Sequence, residues 1–310
     1  MGHLEQTPQY AVDLITFAHP TTWSCSDLAD LATGQWPDAV RLWDRLLDLV
    51  AASGATGIEL TFEPFGWRTG TLAYGDAAGL TARLADRGLA VTSGYFVGTE
   101  TPDLLDAHRR ADLVRRAGEY ADLLLACGAD TMVASLPRRL PSGADDSEFV
   151  AAVVEGITRV AAAVVQRGCR FALHTESHSA FWTAADIDRY LALLDPDLVG
   201  FCPDTAHITL AGDDPVAVCG KYRDRIALVH WKDAAGTLPI DPPDVEDVFA
   251  THTPHFRPLG GGEVDLPALI DEFLDAGPLS RVLLEVDQAV DPVAAVRESI
   301  ATFATMLARA

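Results

Sequence analysis

The sequence predicts a (β/α)8 TIM barrel that forms a single domain. Strand-like and helix-like segments alternate along all 310 residues, which is typical of a parallel sheet with crossover helices. The strand–helix units number eight, the count that closes such a barrel. Polar and charged residues follow several apolar strands, as expected at the face where barrel strands end.

The first half of the chain contains four strand–helix units. The strands are predicted over Asp13–Ala18, Gly57–Leu60, Ala90–Val97 and Thr131–Ser135. Helical spacing of apolar residues predicts helices over 38–53, 75–86, 102–127 and 145–166, each followed by a glycine suited to a C-cap. Residues 1–12 lack the basic flank and apolar core of a signal peptide and are predicted to be a tail, with the barrel domain covering 13–310.

The second half repeats this pattern. Strands are predicted over Arg170–Glu176, Val199–Thr205, Arg225–Asp233 and Arg281–Val286, and helices over 183–194, 214–222, 265–276 and 292–309. Thr183, with Asp186 three residues later, resembles a capping box. The long connection 234–263 is predicted to fold over the barrel mouth as a lid or buttress. An open doubly wound sheet is the alternative fold, but no glycine-rich phosphate fingerprint follows the first strand.

The composition excludes several classes of partner. The formal net charge is −22, with 45 acidic against 23 basic residues, so nucleic-acid phosphate and anionic membranes are repelled. No apolar run approaches the roughly 20 residues that span a bilayer. The five cysteines show no CxxC spacing, which is typical of free thiols in a reducing compartment. We therefore expect a cytoplasmic protein with no nucleic-acid or membrane partner.

Strand periodicity predicts a site at the carboxyl ends of strands five to eight. Because side chains alternate between the two faces of a strand, His174 and Glu176 share one face of strand five, and His230 and Lys232 share one face of strand seven. The carboxyl ends of barrel strands meet at one mouth. The predicted site consists of His174, Glu176, Asp204, His207, His230, Lys232 and Glu285.

This set of side chains favours a metal site. Two or three carboxylates with one or two imidazoles suit a divalent cation such as Mn²⁺, Co²⁺ or Zn²⁺. Without a cation, neighbouring carboxylates would repel one another and raise the pKa of at least one of them. Lys232 alone offsets only part of that repulsion. A bound dication removes it and also polarises a substrate carbonyl.

Five motifs carry a family resemblance: LHTE, CPDTAH, LVHWKD, FRPLGGGEVDLPALID and LLEVD. With them the chain resembles the xylose isomerase-like TIM barrels, which include sugar isomerases, sugar epimerases and inosose dehydratases. The resemblance covers nearly the whole chain and implies one divalent metal ion, with Mn²⁺ favoured over Co²⁺, Zn²⁺ or Mg²⁺. The implied ligands are Asp204, His230, Glu285 and a residue of strand five. HTE stands where many relatives have Glu or ENH, so that residue is His174 or Glu176, with Glu176 favoured.

The resemblance implies an isomerase or epimerase of a keto sugar or keto-polyol. Glu285 or Glu176 would remove the α-proton next to a metal-polarised carbonyl, and the metal would stabilise the enediolate. Loss of a β-hydroxyl, with Lys232 or His207 as acid, would instead give an inosose-type dehydratase. His174 would be either a metal ligand itself or a side chain that contacts a metal ligand.

Three other functions are alternatives. One is cleavage of a 3-keto C-glycoside on the same scaffold, which would involve a small partner subunit. Apart from such a subunit, the protein could form a homo-oligomer. A non-catalytic sugar-binding barrel would bind metal weakly and lack proton exchange. An endonuclease would need additional histidine ligands and a basic groove, which the charge of −22 disfavours.

Further substrate contacts are predicted around this site. Glu59 ends strand two, where it would contact substrate or pair with an arginine. Trp182 and Trp231 belong to a set of aromatic residues at strand ends that would wall a pocket for a sugar ring or an aromatic aglycone. Arg257 lies in the long connection and is a candidate substrate contact. The remaining histidines are expected on a solvated face or lid, namely His178, His252 and His255.

Overall fold

The structure, a computed structural model, describes residues 8–25, 38–144, 146–241, 243, 245, 249–274 and 277–310. Its centre is a sheet of eight parallel strands in the order β6-β5-β4-β3-β2-β1-β8-β7. The strands are β1 Gln9–Asp13, β2 Gly57–Leu60, β3 Ala90–Tyr95, β4 Thr131–Ala134, β5 Arg170–His174, β6 Gly200–Cys202, β7 His230–Trp231 and β8 Arg281–Leu284. A parallel bridge between Asp204 and His230 joins β6 to β7. The predicted single-domain (β/α)8 barrel is confirmed.

Eight helices surround the strands. They are α1 Ala39–Ser53, α2 Ala77–Ala85, α3 Ala107–Ala126, α4 Ser147–Val165, α5 Ala184–Leu193, α6 Pro215–Lys221, α7 Leu266–Phe273 and α8 Pro292–Leu307. Shorter helices lie in the loops at Pro20–Trp23, Trp67–Tyr74, Thr205–Leu210 and Phe249–His252. Among the described residues, no helix is both long enough and apolar enough to cross a membrane.

Local sequence explains where these helices begin and end. Asp38 caps α1 by accepting from the Arg41 amide at 3.1 Å, and Gly54, at φ 90°, ends it in the left-handed region that glycine adopts without strain. The predicted capping box of α5 is present, because the side chains of Thr183 and Asp186 bond each other's backbone amides at 3.2 and 3.0 Å.

The barrel interior consists of two layers. A small apolar layer crosses the barrel and contains Ala11, Tyr95, Val133, Ala172, Cys202, Leu228 and Leu283. Because side chains alternate, the inward residues two positions later form the next layer towards the carboxyl ends. In five strands or the residues that follow them, this second layer is polar and buried: Asp13, His174, Asp204, His230 and Glu285. The larger hydrophobic core lies between strands and helices.

The structure differs from the predicted elements at several places. The first strand ends at Asp13 instead of beginning there, and residues 14–17 form a 3-10 helix capped by Asp13. The predicted tail of residues 1–12 therefore contains most of β1, while residues 1–7 lie outside the described residues. The helix at 205–210 was not predicted. A two-stranded antiparallel ribbon, Asp233–Ala234 with Phe256–Arg257, was not predicted either.

Candidate metal centre and active site

Four polar residues of the interior layer come together. The ligand atoms of His174, Asp204, His230 and Glu285 all lie within 4.8 Å of one another, and all four residues are buried. His174 Nε2 lies 3.5 Å from Asp204 Oδ2, and His230 Nδ1 lies 2.5 Å from Glu285 Oε2. We refer to these four residues as the metal group.

The metal group fits a divalent cation. His174 Nε2 and Asp204 Oδ2 face each other without a hydrogen-bond partner in the described part of the chain. Leaving buried polar atoms unsatisfied is costly, and a cation between them would satisfy both. A set of two imidazoles and two carboxylates is one that Mn²⁺, Co²⁺ and Zn²⁺ accept.

The residues after β6 orient the Asp204 carboxylate towards the metal group. Asp204 is the N-cap of the 205–210 helix, and its Oδ1 accepts from the amides of Ala206 at 2.9 Å and His207 at 3.0 Å. Its own amide donates to Thr175 Oγ1 at 2.8 Å. One carboxylate oxygen is thus used by the helix, and Oδ2 remains for the site.

A second group of side chains lies beside the first. Glu176, His207 and His252 bring three further ligand atoms within 4.8 Å of one another. His207 Nε2 is 3.2 Å from Glu176 Oε1, and His252 Nδ1 is 3.8 Å from the same oxygen. His207 Nδ1 accepts from the Ser177 amide at 3.1 Å, so neutral His207 carries its proton on Nε2. We refer to these three residues as the acid–base group.

Lys232 lies between the two groups. Its buried Nζ donates to Glu285 Oε1 at 2.7 Å, lies 2.8 Å from Asp287 Oδ1 and is 3.4 Å from His207 Nε2. The ammonium also stacks over the Phe256 ring at 3.9 Å. Lys232 therefore places one positive charge beside both groups.

The two groups favour opposite protonation states. Burial raises the pKa of Glu176 well above its usual value, and Lys232 opposes only part of that increase. Burial and the neighbouring Lys232 lower the pKa of His207 well below its usual value. Burial alone would raise the pKa of Glu285, but Lys232 and His230 lower it. A carboxyl group with a raised pKa, Glu176, and one with a lowered pKa, Glu285, therefore lie near the same lysine.

The structure places the predicted metal ligands in two groups. Asp204, His230 and Glu285 come together as predicted from the resemblance, but the strand-five member of their group is His174. Glu176 belongs to the acid–base group instead. The reason is the turn after β5, where the Glu176 amide bonds the Phe181 carbonyl at 3.3 Å, so that residue 176 no longer follows the alternation of the strand.

The four residues predicted to contact substrate lie against other parts of the protein. Glu59 is fully buried, with its Oε1 3.0 Å from His230 Nε2. Trp231 points away from the barrel interior and packs on Phe273 and Phe303. Trp182 is fully buried, and its indole N–H donates to the His207 carbonyl at 2.7 Å.

Arg257, the remaining predicted substrate contact, lies in the ribbon. Its guanidinium donates to the carbonyls of Pro254 at 2.8 Å and Phe256 at 2.7 Å. These bonds join Arg257 to its own segment and explain its position without a substrate.

Several residues of the site were not predicted. His252, expected on a loop surface or lid, is buried, and its Nε2 lies 2.9 Å from His178 Nδ1. The connection that carries it does fold onto the mouth. Asp287 contacts Lys232, and Asp13 lies near Glu59 and His230. The signal for Asp13 was available, because an apolar inward residue followed two positions later by a polar one recurs at five barrel strands.

The aspartate of the HWKD motif has a structural role. Asp233 accepts four hydrogen bonds of 2.9 to 3.1 Å from the amides of Ala234, Gly260, Gly262 and Val264. A Cβ on Gly262 would lie 2.2 Å from Asp233 Oδ1. The PLGGGEV segment is thereby fixed to the ribbon beside the site.

An aromatic cleft of about 250 Å³ lies at the ends of β2 and β3, lined in part by Phe62, Trp67, Tyr95 and Phe96. The Tyr95 ring meets the His174 ring edge-on, with 5.8 Å between centroids. The prediction that aromatic residues at strand ends wall a cavity near the site agrees with this cleft.

Comparisons with known proteins identify the family. An inosose dehydratase of Geobacillus kaustophilus is 29% identical over 200 residues, which are 61% of this chain and 61% of that protein. L-ribulose 3-epimerase superposes with a TM-score of 0.68 at 15% identity over 98% of this chain and 95% of that one. The IolI protein with a bound zinc atom superposes with a TM-score of 0.67 at 14% identity over 97% of this chain and 98% of that one. The family model described as xylose isomerase-like TIM barrel matches residues 47–306, and the chain therefore belongs to that family.

Proposed function

We propose that this protein is a divalent-metal-dependent dehydratase of a keto sugar or keto-cyclitol. The observation that carries this proposal is the pairing of a buried metal group with the neighbouring acid–base group, linked by Lys232. An enzyme that eliminates water needs both a base for the carbon and an acid for the departing oxygen. The similarity to an inosose dehydratase supports the proposal.

The proposed metal ligands are His174, Asp204, His230 and Glu285. His174 replaces Glu176 in the set favoured by sequence, because its ligand atom lies in the metal group. Mn²⁺ remains the favoured cation, with Co²⁺ and Zn²⁺ as alternatives. When bound, the cation would polarise the substrate carbonyl and stabilise negative charge on its oxygen.

The side chains of the two groups would move the protons. Glu285 accepts the proton from the carbon next to the carbonyl. The bond from the neighbouring carbon to its hydroxyl oxygen then breaks, and that oxygen receives a proton from Glu176 or from His207 Nε2. Water leaves and an unsaturated ketone forms. Lys232 holds Glu285 in position at 2.7 Å and is the remaining candidate acid.

A direct assay tests this proposal. Purified protein loaded with Mn²⁺ is incubated with scyllo-inosose, and the product is followed by mass spectrometry and ultraviolet absorbance. We expect a metal-dependent loss of one water and a new absorbance of a conjugated carbonyl. Metal-loaded protein that leaves this and other keto-polyols unchanged, without exchanging their α-hydrogen in D₂O, would contradict the proposal and indicate a sugar-binding barrel.

An isomerase or epimerase is the second candidate. The observation that favours it is the presence of two carboxyl groups in neighbouring positions, with Glu176 3.2 Å from His207 and Glu285 2.7 Å from Lys232, since epimerisation needs both an acid and a base. In D₂O such an enzyme would give an epimer or isomer that contains one deuterium and has lost no water. Cleavage of a 3-keto C-glycoside would instead release the aglycone, and the same mass spectra would detect it.

A further inference from the structure

The imidazole of His230 lies between two buried carboxylates. Its Nδ1 is 2.5 Å from Glu285 Oε2, and its Nε2 is 3.0 Å from Glu59 Oε1. Glu285 belongs to the metal group, whereas Glu59 is at the end of β2 on the other side of the ring. The two ring nitrogens thus have separate partners.

Glu59 is enclosed by the barrel. The residue is fully buried, and neither of its oxygens has a hydrogen-bond partner by strict geometry within the described part of the chain. Its ion-pair contact is His230, and the other nearby acid is Asp13. A carboxylate buried without an arginine or lysine is costly. Its position therefore requires an explanation that involves His230.

We propose that Glu59 is a positioning residue that fixes the orientation and tautomer of His230. An acceptor at Nε2 keeps the proton on that nitrogen and leaves the lone pair on Nδ1. Nδ1 then points at the metal group, beside Glu285. This inference rests on the proposed metal site and adds to it the ligand atom of His230 and the reason for a buried acid on β2.

Two other roles for Glu59 are less consistent with the structure. Contact with substrate is opposed by its complete burial behind the His230 ring. Direct ligation of a cation, together with Asp13 and His230, would use Nε2 and would separate His230 from the larger group of four ligands. A positioning role agrees with both nitrogen contacts.

Cobalt binding tests the proposal without depending on turnover. The wild type, Glu59→Gln and Glu59→Leu are titrated with Co²⁺ against a competing chelator, and the visible spectrum of bound Co²⁺ is recorded. We expect Glu59→Leu to bind about 10- to 100-fold more weakly, with a changed spectrum. Glu59→Gln should retain most of the affinity, because its amide oxygen keeps an acceptor at the 3.0 Å position next to Nε2. Glu59→Asp, which keeps the charge but shortens the reach, provides an intermediate case should the leucine variant not fold.

The control is Glu100→Gln, a largely buried glutamate that accepts from the Gly98 amide at 2.8 Å. Its affinity and spectrum should equal those of the wild type. Unchanged binding in all Glu59 variants would overturn the positioning role. Equal and near-complete loss in Glu59→Gln and Glu59→Leu, as in His230→Ala, would show that Glu59 is itself a ligand. A wild type that binds no Co²⁺, Zn²⁺ or Mn²⁺ would overturn the proposed metal site and this inference with it.

Discussion

His174 and Glu176 are two residues apart and have different partners, which makes them a matched pair for experiment. We expect His174→Ala to weaken Mn²⁺ binding by more than about 100-fold, because a proposed metal ligand is lost and the loss of a side chain that only orients a ligand already reaches that range. Glu176→Gln should leave the affinity within a few-fold of wild type and lower turnover by about 100-fold or more. Mn²⁺ titration followed by electron paramagnetic resonance measures the first effect. The reverse pattern would restore Glu176 as the ligand.

Glu285 is the residue on which both candidate reactions depend. Glu285→Gln should abolish measurable turnover, with a loss of about 1,000-fold or more, because the amide cannot accept the α-proton. The fold should persist, since the amide oxygen still accepts from Lys232. Turnover assays and circular dichroism check the two statements. Activity near the wild-type level would refute the proposed role.

At the scale of elements, Asp233 joins the ribbon to residues 260–264. Asp233→Ala leaves four amides without their charged acceptor, and we expect the free energy of unfolding to fall by about 3 to 5 kcal/mol. Urea denaturation measures the loss. Asp265→Ala, which removes the exposed N-cap of α7, serves as the control and should cost about 1 kcal/mol. Equal costs for the two variants would show that Asp233 does not fix this segment.

The packing of His252 onto the site gives a pH-dependent contribution to stability. Burial, together with His178 and Lys232, lowers the pKa of His252 to about 3, whereas an unfolded histidine has a pKa of about 6.5. Below pH 6.5 the unfolded state therefore binds a proton that the folded state does not. The stability contributed by neutral His252 is present above pH 6.5 and is lost as the pH falls towards 3.

We therefore expect His252→Gln to flatten the decline in unfolding free energy between about pH 6.5 and 4. Urea denaturation at several pH values compares the two slopes, and other titrating groups act equally on both proteins. His108→Gln, on the surface of α3, is the control and should retain the wild-type slope. Identical slopes for wild type and His252→Gln would mean that His252 is not held neutral by the fold.

At the scale of the whole molecule, the barrel and the meeting of His174, Asp204, His230 and Glu285 at one mouth were predictable, because strand periodicity and β/α alternation are local in sequence. The ligand set that the resemblance implies favoured Glu176 over His174. The contact of His178 with His252 spans 74 residues, and no local pattern encodes how a long connection packs. Asp13 was missed because the first strand was placed too late. Trp231 was wrongly assigned to the pocket although it alternates with His230 and Lys232, so the same periodicity already placed it on the helix side.

Cation binding should also affect global stability. A ligand that binds only the folded state at 100 times its Kd adds about 2.7 kcal/mol. For a protein of this size we expect chelation to lower Tm by about 5 °C or more. Thermal denaturation with and without EDTA measures this shift. His174→Ala should show little response to EDTA, and a wild type equally unresponsive would argue against a structural contribution of the cation.

The chain has two lysines, and the fold gives them different accessibility. Lys232 is sealed within the site, whereas the side chain of Lys221 is 56% exposed at the end of α6. Because barrel helices run antiparallel to the strands, that end lies on the face opposite the mouth. Of the two lysines, an amine-reactive chip would therefore couple Lys221 in preference to Lys232, and molecules held through Lys221 would present the opening to solution without blocking ligand entry.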